Sequence, residues 1–158
     1  MKTCLLAGSF DPPTIGHLNL IKRGSALCGK LFVGIGDNKE KRGRFSPEER
    51  EAMLKEITDS FSNVKIVRIT GTVVDFAAKN SVQALLRGLR PFASWEREFE
   101  MAYANMALSG IETLFLPASQ EAAHISSSLL VEMARAGKRL TGFVPDVIEN
   151  EVFRRLGS

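Results

Sequence analysis

The sequence predicts a single doubly wound α/β domain over residues 1–158, with a five-stranded parallel sheet and helices on both faces. Five short apolar runs alternate along the chain with segments of helical periodicity. Strands that alternate with helices pair in parallel through right-handed crossovers, and the helices then cover both faces of the sheet. The chain has 158 residues, 44% of them hydrophobic, which is enough for one substantial core.

Composition excludes several classes of protein. No stretch approaches the roughly 20 apolar residues that span a bilayer, and the apolar segment before Asp11 is too short for a signal peptide. Cys4 and Cys28 form no C-x-x-C pair, so we expect two core thiols rather than a disulfide or a thiolate zinc site. We therefore expect a cytoplasmic protein without membrane contact. The formal charge of +3 suits an anionic ligand, whether a phosphometabolite or a nucleic acid.

The first elements follow from apolar runs. Residues 2–7 form a short run that ends at Gly8, as expected of a buried strand, and residues 31–35 form a second one. Residues 15–28, between them, have the periodicity of a helix. Four apolar residues are expected near one face of this helix: Ile15, Leu18, Ile21 and Leu27.

A second helix start follows the polar, glycine-containing residues 36–45. Ser46 can cap this helix, Pro47 suits its first turn, and Glu49 completes a capping box. Its apolar face is expected to consist of Met53, Leu54, Ile57 and Phe61.

The rest of the chain continues the alternation. Residues 64–69 alternate in hydrophobicity, and residues 84–87 and 113–116 are short apolar runs, so we predict three further strands. Helices are predicted at residues 73–79, 93–108 and 126–136 and in the tail after Pro145. In such folds ligands bind beyond the carboxyl ends of the strands, so the loops after the strands are where chemistry is expected.

The loop after the first strand has the features of an anion site. Gly8 permits close approach of the backbone, and His17 falls in the first turn of the following helix. Unpaired helix-start amides and the helix dipole both favour negative charge. Gly16 leaves room for a phosphate or a base, whereas His17 on its own would suit an ordinary helix face equally well.

The sequence of this loop distinguishes between classes of nucleotide-binding protein. Residues 8–17, G-S-F-D-P-P-T-I-G-H, match neither G-x-G-x-x-G nor G-x-x-x-x-G-K-[ST], which argues against a dinucleotide dehydrogenase and a P-loop NTPase. They resemble the signature of the nucleotidyltransferase superfamily. Residues 45–50, 86–90 and 124–132 add F-S-P-E-E-R, L-R-G-L-R and H-I-S-S-S-L-L-V-E. With them, the chain resembles the bacterial phosphopantetheine adenylyltransferase family along essentially its whole length.

This resemblance implies a Rossmann-like nucleotidyltransferase domain and a reaction. The enzyme would transfer AMP from ATP to 4'-phosphopantetheine, giving dephospho-coenzyme A and pyrophosphate in coenzyme A biosynthesis. The resemblance also implies a homohexamer, with no nucleic acid as partner. Mg²⁺ is expected to enter with ATP, held by phosphate and water oxygens and not by protein side chains.

The resemblance also implies an ATP site. A guanidinium group such as that of Arg90 binds phosphate oxygens in a bidentate manner. The serines that begin the helix predicted at residues 126–136 can cap this helix and bind phosphate. The residues implied for ATP are Ser9, Phe10, His17, Gly88, Leu89, Arg90, Glu98, Ala122, Ala123, His124, Ile125, Ser126, Ser127 and Ser128.

For phosphopantetheine the resemblance implies a second set: Ser9, Lys41, Val73, Arg87 and Asn105. No protein nucleophile is needed, because the phosphate of the acceptor can attack the α-phosphorus of ATP in line. We assign His17 to the transferring phosphate and the pyrophosphate, and Arg90 to the leaving group. Lys41 and Ser9 are assigned to the nucleophilic phosphate and the α-phosphate.

Some residues depart from the family pattern, and two alternatives stay open. Ser9 stands where threonine is usual, and Ser94 and Arg97 replace residues that are often acidic and aromatic. A nicotinamide or nicotinate mononucleotide adenylyltransferase would share the loop chemistry, although its I-S-S-T is usually followed by an arginine that this chain lacks. The other alternative is a nucleotide- or RNA-binding module without turnover. A module that only binds would not need to keep all five of the residues assigned to the reaction, which are Ser9, His17, Lys41, Arg87 and Arg90.

Overall fold

In a computed structural model, which describes residues 2–36, 43–91 and 94–158, five parallel strands form one sheet in the order β3-β2-β1-β4-β5. The strands are β1 Thr3–Gly8, β2 Lys30–Gly36, β3 Val64–Ile69, β4 Ala84–Leu89 and β5 Glu112–Pro117. From β1 the chain proceeds outward to β2 and β3, and then returns to build β4 and β5 on the other side of β1. The strand order therefore reverses between β1 and β4, which is where doubly wound folds bind ligands.

Within the described residues, six α-helices accompany the sheet: α1 Ile15–Leu27, α2 Pro47–Thr58, α3 Val73–Lys79, α4 Trp95–Ser109, α5 Ser127–Arg135 and α6 Asp146–Gly157. A short 3₁₀ helix, Gln120–Ala122, follows β5 and is an element that the sequence pattern did not predict. No helix among the described residues combines the length and the apolar character needed to cross a membrane.

The two faces of the sheet support two separate hydrophobic clusters, as alternation along a strand requires. Cys4 and Leu6 of β1 belong to a large cluster that includes buried residues of α1, α2, α5 and α6. Leu5, between them, belongs to a smaller cluster with Leu85 of β4 and Ala77 of α3. Helices thus cover both faces, and the predicted fold class is confirmed.

The local predictions hold in most elements. The capping box at Ser46 and Glu49 is present, and both cysteines are buried and free. The inward position expected for Leu27 is wrong, because this side chain is 62% exposed whereas Ile21 is fully buried. At roughly 100° per residue, Leu27 lies six positions and about 240° around the helix from Ile21, so the two cannot share a face.

Candidate active site

A cavity of ≈ 320 Å³ lies at the carboxyl edge of the sheet, where the strand order reverses. Its walls come from the loop after β1, the first turns of α1, the end of β4 and the start of α5. Most residues that the sequence assigned to ATP line this cavity: Ser9, Phe10, His17, Gly88, Arg90, Glu98, Ala122, Ile125, Ser126 and Ser127. His17, Arg90 and Ser127 therefore line one space.

Four residues that the sequence assigned to ATP lie outside the first cavity. Leu89, Ala123, His124 and Ser128 do not line the first cavity. His124 is exposed and packs edge-to-face against Phe143, with ring centroids 5.8 Å apart. Lys41 lies outside the described residues. The roles assigned to all of these residues stay predictions.

His17 is held in one tautomer by the start of α1. The backbone N–H of Thr14 donates to Nδ1 of His17 at 3.0 Å, while the N–H of His17 donates to Oγ1 of Thr14 at 3.3 Å. This pair is a capping box with histidine at its third position. Since Nδ1 accepts a hydrogen bond, the proton of the neutral ring is on Nε2. The ring can therefore donate from Nε2 to an acceptor.

Burial lowers the pKa of His17 from its usual 6.5 to about 4, with a smaller contribution from the positive charge of Arg90. The ring is therefore neutral at neutral pH. A neutral Nε2–H donor suits a phosphate oxygen, and a bound triphosphate would raise the pKa again because opposite charges favour the protonated ring.

The depressed pKa of His17 predicts a specific loss of stability in acid. The unfolded chain takes up a proton at this residue between about pH 6.5 and about pH 4, whereas the folded chain does not. The free energy of unfolding should fall across this window as the pH falls, and the contribution should be constant below it. Urea unfolding at several pH values measures the slope.

The matched comparison for this slope is a His17→Gln variant, which removes the titratable ring and retains an amide. It should show a weaker dependence of the free energy of unfolding on pH between about pH 6.5 and about pH 4. Equal slopes for the two proteins would show that the pKa of His17 is not depressed.

The loop after β1 is stabilised in an unusual conformation. Phe10 is buried and has a φ of 49°, a left-handed conformation that costs a non-glycine residue free energy and often marks a functional site. Its ring packs against the ring of His17, with centroids 5.0 Å apart. The strained residue thereby supports the orientation of the histidine.

Two further contacts tie this loop to its neighbours. The carboxylate of Asp11 accepts from the backbone N–H groups of Arg44 and Phe45, at 2.8 and 2.9 Å. The buried guanidinium of Arg50 donates to the carbonyl of Ser9 at 2.8 Å. These bonds hold Arg44 and Phe45 against the loop after β1.

Arg90 and the start of α5 also line the first cavity. Nη1 of Arg90 donates to the carbonyl of Ile125 at 2.9 Å. Ser126 caps α5, accepting from the N–H of Leu129 at 3.2 Å. The arginine and the first-turn amides of α5 together present N–H donors to an anion.

Arg87 lies between the first cavity and a second one. Its Nε and Nη2 donate to the two carboxylate oxygens of Glu98, at 2.8 and 2.9 Å, and Nη1 donates to the carbonyl of Ala7 at 2.9 Å. The Arg87 guanidinium holds the pKa of the Glu98 carboxyl below its usual range. The bidentate pair fixes Arg87 in the shared wall.

The second cavity, of ≈ 120 Å³, extends from this pair between the sheet and helices α3 and α4. It is lined by Val73 and Asn105, which the sequence assigned to phosphopantetheine, and by Arg87. The structure thus places Val73 and Asn105 apart from most predicted ATP residues, whereas Ser9 lines the first cavity and the Arg87–Glu98 pair lines both.

Some residues of the candidate site were not predicted from the sequence. Thr14, Leu20 and Ala118 also line the first cavity. The spacing T-x-x-H at a helix start could have identified the Thr14–His17 pair, because it has the register of a capping box. Among residues 2–36, 43–91 and 94–158, no cluster of three His, Cys, Asp or Glu residues is placed to hold a metal ion.

Comparisons with known proteins show which family the chain belongs to. Residues 5–133 match the cytidylyltransferase-like family model. The chain is 40% identical over 156 residues to the phosphopantetheine adenylyltransferase of Caldanaerobacter subterraneus subsp. tengcongensis, an alignment that covers 98% of each chain. It is 39% identical over 157 residues to a phosphopantetheine adenylyltransferase of Clostridium botulinum, covering 99% of this chain and 96% of the relative.

Solved structures share the fold at lower identity. A candidate nicotinate-nucleotide adenylyltransferase from Vibrio parahaemolyticus superimposes with a TM-score of 0.66 at 14% identity, over 98% of this chain and 96% of the other. A lipopolysaccharide core biosynthesis protein from Thermoplasma volcanium gives a TM-score of 0.55 at 20% identity, over 75% of this chain and 97% of the other. The family model and the full-length relatives together show that the chain belongs to the phosphopantetheine adenylyltransferases of the cytidylyltransferase-like family.

Proposed function

We propose that the chain transfers AMP from ATP to 4'-phosphopantetheine, forming dephospho-coenzyme A and pyrophosphate in coenzyme A biosynthesis. One observation carries this proposal on the structural side: two cavities of unequal size meet at the Arg87–Glu98 pair. An adenylyl transfer needs two ligands whose phosphates meet, and the full-length likeness to phosphopantetheine adenylyltransferases supports these two substrates. Because the reaction consumes ATP, we propose the cytoplasm as its location.

ATP would occupy the first cavity. The Nε2–H of neutral His17, the guanidinium of Arg90 and the first-turn amides of α5 all present donors to this space. Donors that are already in place stabilise charge on transferring and leaving oxygens without reorganisation during the reaction.

The acceptor phosphate would lie beside Arg87 and Ser9 and attack the α-phosphorus of ATP in line. Pyrophosphate would leave toward Arg90 while His17 donates to the transferring group. Lys41, outside the described residues, is assigned to the incoming phosphate. Holding the reactants in line and neutralising charge accounts for most of the acceleration in such transfers, so no covalent intermediate with the protein is required.

Mg²⁺ fits this site as a companion of the triphosphate. The described donor set around the first cavity consists mainly of N–H groups and hydroxyls, which suit phosphate oxygens better than they suit a cation. Mg²⁺ commonly retains water ligands and binds through substrate phosphates, and it would neutralise charge on the triphosphate.

A direct assay tests the function. The purified protein is incubated with ATP, Mg²⁺ and either phosphopantetheine or nicotinate mononucleotide, and released pyrophosphate is measured. We expect rapid release with phosphopantetheine and background release with nicotinate mononucleotide. The reverse preference would assign the chain to the mononucleotide adenylyltransferases, and no release with either would contradict the proposal.

We also propose that the chain assembles as a homohexamer. Every residue of α4 retains some exposure, and Met101 and Leu108, which lie seven positions apart and so on one face of the helix, are 54% and 75% exposed. Leu114 of the adjacent edge strand β5 is also exposed. An apolar face of this kind marks an interface, and a second copy of the chain suits it because no charge on the partner is required.

Light scattering tests the assembly. We expect a mass about six times the 17.4 kDa of one chain, and a smaller assembly for a Leu108→Glu variant, which puts a charge on the proposed interface. A wild-type mass of one chain would contradict the hexamer.

A further inference from the structure

The second cavity contains a polar group that the site described above leaves unused. Thr113 of β5 pairs with Leu85 of β4, which in turn pairs with Leu5 of β1, so the three residues form one row across the sheet. Neighbours in such a row project from the same face. All three line the second cavity, on the face covered by α3 and α4.

The hydroxyl of Thr113 is buried without a hydrogen bond. Its Oγ1 exposes less than 1 Å², and within the described parts of the chain it makes no hydrogen bond. Buried hydroxyls are nearly always paired, because leaving one unpaired sacrifices its hydration without replacement. For a ligand in the second cavity to supply the missing partner, the Thr113 side chain must turn about χ1, because Oγ1 is closed to solvent in this rotamer.

The position of Thr113 relative to Arg87 defines what such a ligand must contain. Arg87 is two residues beyond Leu85 on β4, so its Cα lies roughly 8 Å from that of Thr113 at the spacings typical of a sheet. Between them the wall is mostly apolar, with Leu5, Leu85 and Met101 beside the amide of Asn105. A matching ligand has an anionic group at one end, an apolar stretch, and a polar group a few bonds further along.

We propose that the Thr113 hydroxyl is a specificity-determining hydrogen-bond partner for an amide of the acceptor arm. The proposal rests on the proposed function: phosphopantetheine carries its phosphate at one end and peptide-like amides beyond a branched apolar segment. With the phosphate at Arg87, the arm would extend along the second cavity toward Thr113 and Asn105. Thr113 would then select acceptors that continue into an amide over simple phosphate esters.

Two variants test this inference. Thr113→Val removes the hydroxyl with little change of shape, whereas Thr113→Ser retains it. Calorimetry with phosphopantetheine should show roughly tenfold weaker binding to Thr113→Val, as expected for one lost hydrogen bond, and nearly wild-type binding to Thr113→Ser. The affinity for ATP should be unchanged in both variants, because Thr113 lines the second cavity and not the first.

A stability measurement separates recognition from a structural role. In the unliganded protein, Thr113→Val should have an equal or higher Tm than wild type, since it removes an unpaired buried hydroxyl. Unchanged phosphopantetheine affinity in Thr113→Val, or a parallel loss of ATP affinity, would overturn the inference. Turnover of the wild-type protein with ATP and phosphopantetheine tests the proposed function separately, so a failure of Thr113 alone is recognisable.

Discussion

Replacing His17 with alanine should lower kcat on the order of 100-fold or more, as expected when a donor to the transition state is lost. His17 and Arg90 both line the first cavity, and the hydrogen bond from Thr14 to Nδ1 leaves the proton on Nε2 to donate to a ligand. The affinity for ATP should change less than kcat, because the donor is assigned to the transferring group.

A lower kcat of His17→Ala implicates the histidine in catalysis only if the variant folds and a matched control variant stays active. Circular dichroism should show an intact fold for His17→Ala, since α1 keeps Ile21 in the core. Lys22→Ala, an exposed position on the same helix, should turn over like wild type. Turnover of His17→Ala near that of wild type would remove the histidine from the mechanism.

Replacing Arg90 with alanine should lower kcat/KM for ATP on the order of 100-fold, because the developing charge on pyrophosphate loses its guanidinium. Arg90→Lys should recover part of the activity, since a lysine supplies the charge without the bidentate fork. Arg135→Ala, an exposed arginine in the last turn of α5, is the matched control and should retain activity.

Arg90→Ala also has a consequence that does not depend on activity. The positive charge of Arg90 contributes to the low pKa of His17, so the pKa should rise above about 4 in the variant, which NMR titration of the ring can measure. Wild-type turnover of Arg90→Ala together with an unchanged pKa of His17 would show that the two residues do not act on one ligand.

Much of the fold was predictable because the local signals were strong. The alternation of residues 64–69 and the short helix at residues 73–79 gave the observed bounds. The capping box of Ser46 and Glu49 fixed the start of α2. The 3₁₀ helix Gln120–Ala122 was missed because a single turn is too short to show a period.

The sequence predicted most of the residues that line the first cavity, but it did not predict the contacts between them. The loops after β1 and β4 converge because parallel strands end at one edge. The bidentate bond of Arg87 with Glu98 joins a strand to a helix, and no local sequence pattern predicts such a contact. Likewise, the left-handed φ of Phe10 contradicts the preference of its residue type and arises from the packing around it.

Isotope transfer tests the central claim most directly. ATP labelled with radioactive phosphorus at the α-position is incubated with Mg²⁺, phosphopantetheine and the purified protein, in parallel with ATP labelled at the γ-position. We predict that the α-label appears in dephospho-coenzyme A and the γ-label in pyrophosphate. Transfer of the γ-label to the acceptor with release of ADP would show that the bound triphosphate is attacked at the wrong phosphorus, and would contradict the account.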